Sequence, residues 1–252
     1  MLLPAELEPI LSPKFLNSLN DEELQQLAKC LDELEKLDKE TKLFQLYPDQ
    51  GPLRRELYPK HLSFFRAGTQ FMERACVSAN RVGKTWGIGG FETAVHLTGE
   101  YPEWWNGRRF DHPIDCWAAG DTSETTRDII QHALVGPIGE LGTGLIPAAN
   151  IIGEPTKRSG VSGAMDTVRV RHKTGGVSQV GLKSFDQGRK KFQGTSKHLI
   201  WLDEECPEDV YDECLLRLMT LRGLMMLTFT PLDGLTPVVL RFMPHLTPTL
   251  TG

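Results

Sequence analysis

Long apolar runs are missing from this chain. No stretch approaches the roughly 18 apolar residues that a membrane-spanning helix needs, which excludes that class. The N-terminus carries Glu6 and Glu8 and no early Lys or Arg, the reverse of a secretory signal. Cysteine is scarce and dispersed. The five residues Cys30, Cys76, Cys116, Cys206 and Cys214 form no C-x-x-C pair, so neither a disulfide framework nor a zinc cluster is expected. They read as small buried hydrophobes, and a cytosolic protein follows. Positive charge is not in excess either: 28 Lys and Arg stand against 33 Asp and Glu, a net charge of −5. The chain is therefore no general polyanion binder, although a local basic track is still possible. There is no internal repeat and no low-complexity tract.

What remains is the pattern of an α/β protein. Residues 18–46 read as a helix: Asn20 and Glu23 have capping-box spacing, and Leu24, Leu27, Leu31 and Leu34 form an apolar stripe. The stretch 48–59, opening Pro48-Asp49-Gln50-Gly51-Pro52, breaks that pattern. Residues 1–47 are thus a candidate helical appendage and 48–252 the main domain. In the main domain short apolar strands alternate with helices. Strands are expected at Ala75–Val77, Ile114–Ala118, Leu199–Leu202 and Leu224–Phe229, with a hairpin across Thr174-Gly175-Gly176. Such alternation predicts a mostly parallel sheet flanked by helices, with ligands at the carboxyl ends of the strands.

Two segments carry chemistry. Ser78-Ala79-Asn80-Arg81-Val82-Gly83-Lys84-Thr85 has the form of a phosphate-binding loop, with strand before and helix after. Gly83 permits close backbone approach, Lys84 supplies charge to phosphate oxygens, and Thr85 a hydroxyl for Mg²⁺. One position departs from the pattern, because Ser78 stands where the first glycine is usual. Leu199–Leu202 followed by Asp203-Glu204-Glu205 is an apolar strand with an acidic tip, suited to holding Mg²⁺ through Asp203 and polarising water through Glu204. Together they predict an ATPase that uses ATP and Mg²⁺. Thr228 and Thr230 alternate at the end of the last strand, where they either sense the terminal phosphate or cap the next turn. Arg81 and Arg127 are candidate arginines for transition-state charge, or surface ion pairs. Basic residues gather at Arg169, Arg171, His172 and Lys173, and again at Lys183, Arg189, Lys190, Lys191 and Lys197; these suit phosphate-backbone contact or are solvated faces.

Taken together, the segments resemble the ATPase domain of the terminase large subunit, the motor that packs double-stranded DNA into tailed-phage heads. The resemblance rests on Ser78–Thr85, Gly120–Asp128, Lys183–Arg189 with Phe192-Gln193-Gly194, Trp201–Glu205 and Thr228–Pro231, in the family's order over about residues 60–235. It implies a P-loop NTPase fold of the ASCE, RecA-like kind. It matches Lys84 and Thr85 to the Walker A pair, Asp203 and Glu204 to the Walker B aspartate and catalytic glutamate, and Thr228–Thr230 to the coupling motif. It also implies an adenine-holding segment near residues 61–70, with Gln70 the candidate, and an arginine finger, in cis from Arg81 or in trans from Arg127. The implied partners are double-stranded DNA, the portal protein, the small terminase subunit and further copies in a homo-oligomeric ring, with no membrane. The implied place is the host cytoplasm, transiently at the procapsid portal. Full-length members continue into an RNase H-like nuclease domain; this chain stops at Gly252, so no nuclease activity is expected of it. Two other readings compete. A helicase-like DNA-dependent ATPase suits Asp203-Glu204-Glu205 but needs a second motor domain, for which nothing after 235 leaves room. A non-hydrolysing docking module would fit a loop weakened at Ser78.

Overall fold

The computed structural model describes residues 12–40 and 42–246, so Glu6, Glu8 and Gly252 lie outside the described residues. The chain divides into two compact units, Met1–Lys39 and Glu40–Gly252. Among the described residues the first holds helix α1 (Pro13–Leu16) and nearly all of α2 (Asp21–Glu40). The capping box that starts α2 is reciprocal: Asn20 N–H donates to Glu23 Oε2 at 2.9 Å, and Glu23 N–H donates to Asn20 Oδ1 at 2.9 Å.

The two compact units meet between Lys39 and Glu40. A short helix α3 (Lys42–Gln45) belongs to the second unit, and Leu43 and Tyr47 are buried in that unit's core. Periodicity shows that Leu43 is apolar on a helix but not which core receives it. The turn-rich stretch after Tyr47 ends where expected, at Pro59. Helix α4 (Pro59–Ala67) begins at Pro59, since a proline at the first helical position has no bonding N–H to lose.

Seven strands follow: β1 (Glu73–Val77), β2 (Asp115–Gly120), β3 (Thr156–Lys157), β4 (Met165–Arg171), β5 (Val177–Ser184), β6 (Leu199–Asp203) and β7 (Leu224–Phe229). They form one sheet in the order β1-β7-β6-β2-β5-β4-β3. The first five in that order are parallel, while β4 and β3 extend the sheet antiparallel. The expected hairpin joins β4 to β5 through Gly175 and Gly176, both at left-handed φ (94° and 83°) that glycine adopts freely. A π-helical segment, Lys84–Gly90, runs from the phosphate loop into α5 (Phe91–Thr98). After β2, Thr122 caps α6 (Ser123–Thr125), which continues through a π-helical turn, Thr126–Gln131, into α7 (His132–Val135). Helices α8 (Glu208–Met219) and α9 (Pro237–Phe242) complete the described residues' helices.

Strand alternation sends side chains to two cores, one on each face of the sheet. In β6, Leu199 and Trp201 join the cluster of Ile88, Phe91 and Leu97. Ile200 and Leu202 join Val210, Cys214 and Leu218 of α8. Asp203, two residues beyond Trp201, therefore faces the side of the sheet that carries the loop helix. Three of the five cysteines are buried as expected, whereas Cys76 is partly buried and Cys30 exposed.

A charged network lies inside the first of these cores. Arg74 of β1 donates to both carboxylate oxygens of Glu92 on α5, at 3.1 and 2.8 Å, and to the Phe64 carbonyl at 2.8 Å. Glu92 Oε1 lies 3.2 Å from His96 Nε2, and His96 Nδ1 lies 2.8 Å from the Tyr101 hydroxyl. That hydroxyl already accepts from Phe110 N–H, so its own proton serves His96 Nδ1 and His96 donates through Nε2. Burial is the largest influence on His96 and holds it below the ordinary histidine range; the imidazole is neutral. For Glu92 burial pushes upward, but Arg74 and His96 more than reverse it, and the carboxyl lies below its usual range. The network ties the strand entering the phosphate loop to the helix leaving it.

Candidate nucleotide-binding site

The loop's geometry starts at the sheet's carboxyl edge. Ser78 N–H continues the β1–β7 ladder onto the Phe229 carbonyl at 3.2 Å, and the chain then turns through left-handed residues at Arg81 (φ 64°) and Gly83 (φ 83°). Ser78 is not among the left-handed residues. The departure from glycine there carries no backbone strain, since the turn needs the special conformation three positions later, at Arg81. Lys84 is buried, and its Nζ donates to the carbonyls of Ser78 and Ala79 at 3.1 and 3.0 Å and to Thr230 Oγ1 at 2.6 Å.

Because β7 lies between β1 and β6, the tips of three strands converge on this lysine. Thr85 Oγ1 lies 3.2 and 3.0 Å from the two carboxylate oxygens of Asp203, and its one proton bridges towards them. Thr228 Oγ1 donates to Asp203 Oδ1 at 2.5 Å and accepts from Trp201 Nε1 at 2.7 Å. Thr230 Oγ1 lies 2.8 Å from both the Ser78 carbonyl and Asn80 Oδ1. Both hydroxyls thus face the loop and the acidic strand tip, Thr230 bonded at Lys84 and Ser78 and Thr228 at Asp203. Burial, opposed by the Thr228 and Thr85 hydrogen bonds, pushes the Asp203 carboxyl up to about 6. A carboxylate so poorly hydrated, with a hydroxyl alongside, is a hard-oxygen donor pair that suits Mg²⁺ supplemented by phosphate oxygens.

Glu204 sits at a left-handed φ of 87°, a conformation that costs a non-glycine residue about 1–3 kcal/mol and persists where its surroundings enforce it. Its N–H is fixed on the Thr228 carbonyl at 3.0 Å. The side chain is half-buried, and burial pushes its pKa up; Lys84 and the Thr230 N–H pull it back, while Asp121 at the end of β2 adds to the rise. The twist turns the Glu204 carboxylate towards the lysine rather than continuing the strand's alternation.

The remaining expectations fare differently. Arg81 is exposed on the loop and makes no hydrogen bond or ion pair among the described residues. Arg127 donates to Asp128 at 2.6 and 2.9 Å and to the Ser162 carbonyl at 3.0 Å, and to no atom of the loop. Gln70 is not brought to the site. It precedes β1 at the amino edge of the sheet, so the five-residue strand separates it from the loop by about 17 Å.

Of the 61–70 segment, His61 reaches the loop, together with the earlier Tyr47. Tyr47 donates to the Gly87 carbonyl at 2.5 Å, and His61 Nδ1 lies 2.7 Å from the same hydroxyl, while His61 also bonds the Val82 carbonyl. A Cβ at Gly87 would stand 2.8 Å from the Tyr47 hydroxyl, so only glycine admits this contact. Sequence reading missed Tyr47 because it stands at the last residue before Pro48, past the helical stripe, where no periodicity says which side it faces. Tyr47→Phe removes the donor to Gly87. The expected result is a loss of about 1–2 kcal/mol in urea unfolding, with an unchanged midpoint as the contrary outcome.

The site can be set beside known proteins. Residues 75–248 match the family model described as "Terminase large subunit, T4likevirus-type, N-terminal". The chain belongs to the terminase large-subunit family. The terminase large subunit of Salmonella phage P22 is 34% identical over 250 residues, covering 91% of this chain and 48% of the relative. The chain thus spans about half the length of the curated terminase it matches. Solved structures with some likeness include the large terminase of the thermophilic bacteriophage D6E, with a TM-score of 0.47 and 14% identity over 69% of this chain and 37% of that one. Another is the ATPase domain of the Thermus phage P74-26 large terminase, with a TM-score of 0.41 and 17% identity over 63% and 59%. Likeness at that level decides nothing by itself. Membership of the terminase family, with the loop, acidic strand tip and interposed β7 already described, makes the main unit a P-loop α/β fold. Among the described residues no helix is long and apolar enough to cross a membrane.

Proposed function

We propose that this chain is the ATP-hydrolysing motor part of a terminase large subunit, driving double-stranded DNA into a procapsid. The observation that carries this reading is the convergence of Lys84, Thr85, Asp203 and Glu204 at the strand ends, with Thr230 bonded to the lysine. Lys84 would exchange its carbonyl partners for phosphate oxygens. Thr85 and Asp203 would hold Mg²⁺, which when bound neutralises charge on the phosphates. Glu204 orients a water and accepts its proton. The water oxygen adds to the terminal phosphorus as the bond to the bridging oxygen breaks, giving ADP and phosphate. Thr230 touches both the lysine and the loop, so a change at the terminal phosphate is felt at β7. His61 and Tyr47, not Gln70, are proposed as the side chains bordering the nucleotide from the segment before β1. Arg81 is proposed as a finger in cis and Arg127 as one in trans. The portal, the small subunit and further copies in a ring are proposed partners, with the host cytoplasm as the place of action.

The DNA surface we propose is the face of β4 and β5 that carries Arg169 and Arg171, opposite the face packed on α5. Of the basic residues noted in the sequence, Lys173, Arg189 and Lys197 are paired with Glu100, Glu213 and Asp115, and His172 is buried. Arg169 and Arg171 are exposed on one face of β4, opposite Gln179 and Val177, and have no ion-pair partner among the described residues. Lys183 shares that face, its ammonium 5.4 Å from the Trp117 ring. Phosphate contacts of this kind release counterions. The expected result for Arg169→Ala with Arg171→Ala is a fall of about 1.8 in the salt slope of DNA binding, about 0.9 per lost contact. An unchanged slope removes this face from consideration. The wider reading is tested by ATPase rate with and without linear double-stranded DNA, and a chain that binds ATP but never turns it over is a docking module instead.

A further inference from the structure

We propose that Trp201 is a positioning residue that fixes the orientation of the metal-holding carboxylate of Asp203 through the hydroxyl of Thr228. The inference rests on reading this site as a nucleotide site. It goes further by assigning a role to an indole that touches neither phosphate nor metal.

The geometry is a one-way relay of hydrogen bonds. An indole N–H can only donate, and that of Trp201 donates to Thr228 Oγ1 at 2.7 Å. With an incoming bond on one lone pair, the Thr228 hydroxyl directs its single proton outward, onto Asp203 Oδ1 at 2.5 Å. Trp201 and Thr228 are wholly buried and Asp203 nearly so, leaving no water to substitute for any link. Strand register builds the relay: Asp203 lies opposite Thr228, and Trp201 lies two residues earlier on the same face of β6. Thr85 meets the same carboxylate from the loop helix, so Asp203 is held from both sides.

A second contact ties the indole to the loop helix itself. A Cβ at Gly89 would lie 2.1 Å from both Cε2 and Nε1 of Trp201. The helix backbone therefore rests directly on the ring, and any side chain at 89 would displace the indole from Thr228. The indole thus touches the helix that positions Thr85 and the hydroxyl that positions Asp203. A phenyl ring would fill part of the space but could not donate.

The test uses Trp201→Phe and the near-isosteric Thr228→Val, each in the full chain. Binding of Mn²⁺ to the ADP-loaded protein is read by electron paramagnetic resonance of the free ion, and ADP affinity is measured separately in EDTA. Removal of supporting hydrogen bonds around a metal ligand commonly costs 10–100-fold in affinity. The expected result is an Mn²⁺ affinity about tenfold weaker for either variant, ADP affinity in EDTA unchanged, and a double variant no worse than Thr228→Val alone. Mn²⁺ affinity within twofold of wild type in a folded Trp201→Phe chain overturns the assignment. So do losses that simply add in the double variant. If Trp201→Phe does not fold, Thr228→Val decides, and unchanged Mn²⁺ affinity there sinks the relay. Failure of the wild type to bind ADP at all would instead strike the nucleotide-site reading, and the relay with it.

Discussion

Glu204→Gln is expected to leave a chain that binds ATP normally and hydrolyses it about a hundredfold to ten-thousandfold more slowly. The amide keeps the volume and the left-handed backbone of the glutamate, so the turn at the end of β6 survives. It cannot accept a proton. The acceptor is needed beside Lys84, where the half-buried carboxylate has its pKa raised by burial while the lysine and the Thr230 N–H keep it in check. Lys84→Ala should separate from it cleanly by losing nucleotide binding as well, because the ammonium bonded to Ser78, Ala79 and Thr230 is the charge we propose meets the phosphates. The pair of variants is read by equilibrium binding of a fluorescent ATP analogue beside single-turnover hydrolysis. Equal turnover in Glu204→Gln and wild type would remove Glu204 from the chemistry.

Glu92→Gln should be the most damaging single change outside the site. It leaves the Arg74 guanidinium buried with only the Phe64 carbonyl and an amide for company. Breaking one partner of a buried ion pair costs about 3–5 kcal/mol, a large share of the roughly 5–15 kcal/mol that holds a domain folded. Urea unfolding measures it directly. The double change Arg74→Met with Glu92→Leu should recover most of the loss, since it removes both charges and keeps the volume. A double variant as unstable as Glu92→Gln would show that the pair contributes net stability rather than avoiding a penalty.

The same network sets a pH dependence. His96 is held below its ordinary value, so the unfolded chain takes up a proton below about pH 6.5 that the folded chain refuses. Stability therefore falls as pH drops through that point, with a slope of at most about 1.4 kcal/mol per pH unit for this one proton. Glu92 is also lowered, and its contribution is lost in turn at more acid pH. Urea midpoints at pH 7.5, 6.5 and 5.5 should decline in that order.

Much of the site was legible because its parts are local. A lysine and threonine after a glycine, between a strand and a helix, specify their own geometry over eight residues. An apolar run ending in Asp203-Glu204 likewise reads as a strand with an acidic tip. Where reading failed, the determinant was distant. Gln70 was close to the loop in sequence, yet a strand of five residues carries the chain across the sheet, and Tyr47 arrives from forty residues before Gly87. The basic residues looked alike in sequence, but acidic partners on other elements had already taken Lys173, Arg189 and Lys197.

By itself, then, the sequence determined the α/β alternation, the phosphate loop and the acidic strand tip, since these depend on periodicity and on short-range backbone chemistry. It also carried the family likeness. Only the tertiary structure decided the strand order that puts β7 between the loop and Asp203, the unit boundary at 39/40, and the relay from Trp201 through Thr228. Those depend on which face meets which partner. A hydroxyl's single proton or a glycine's missing Cβ acquires its meaning only when a group from elsewhere in the chain is set beside it.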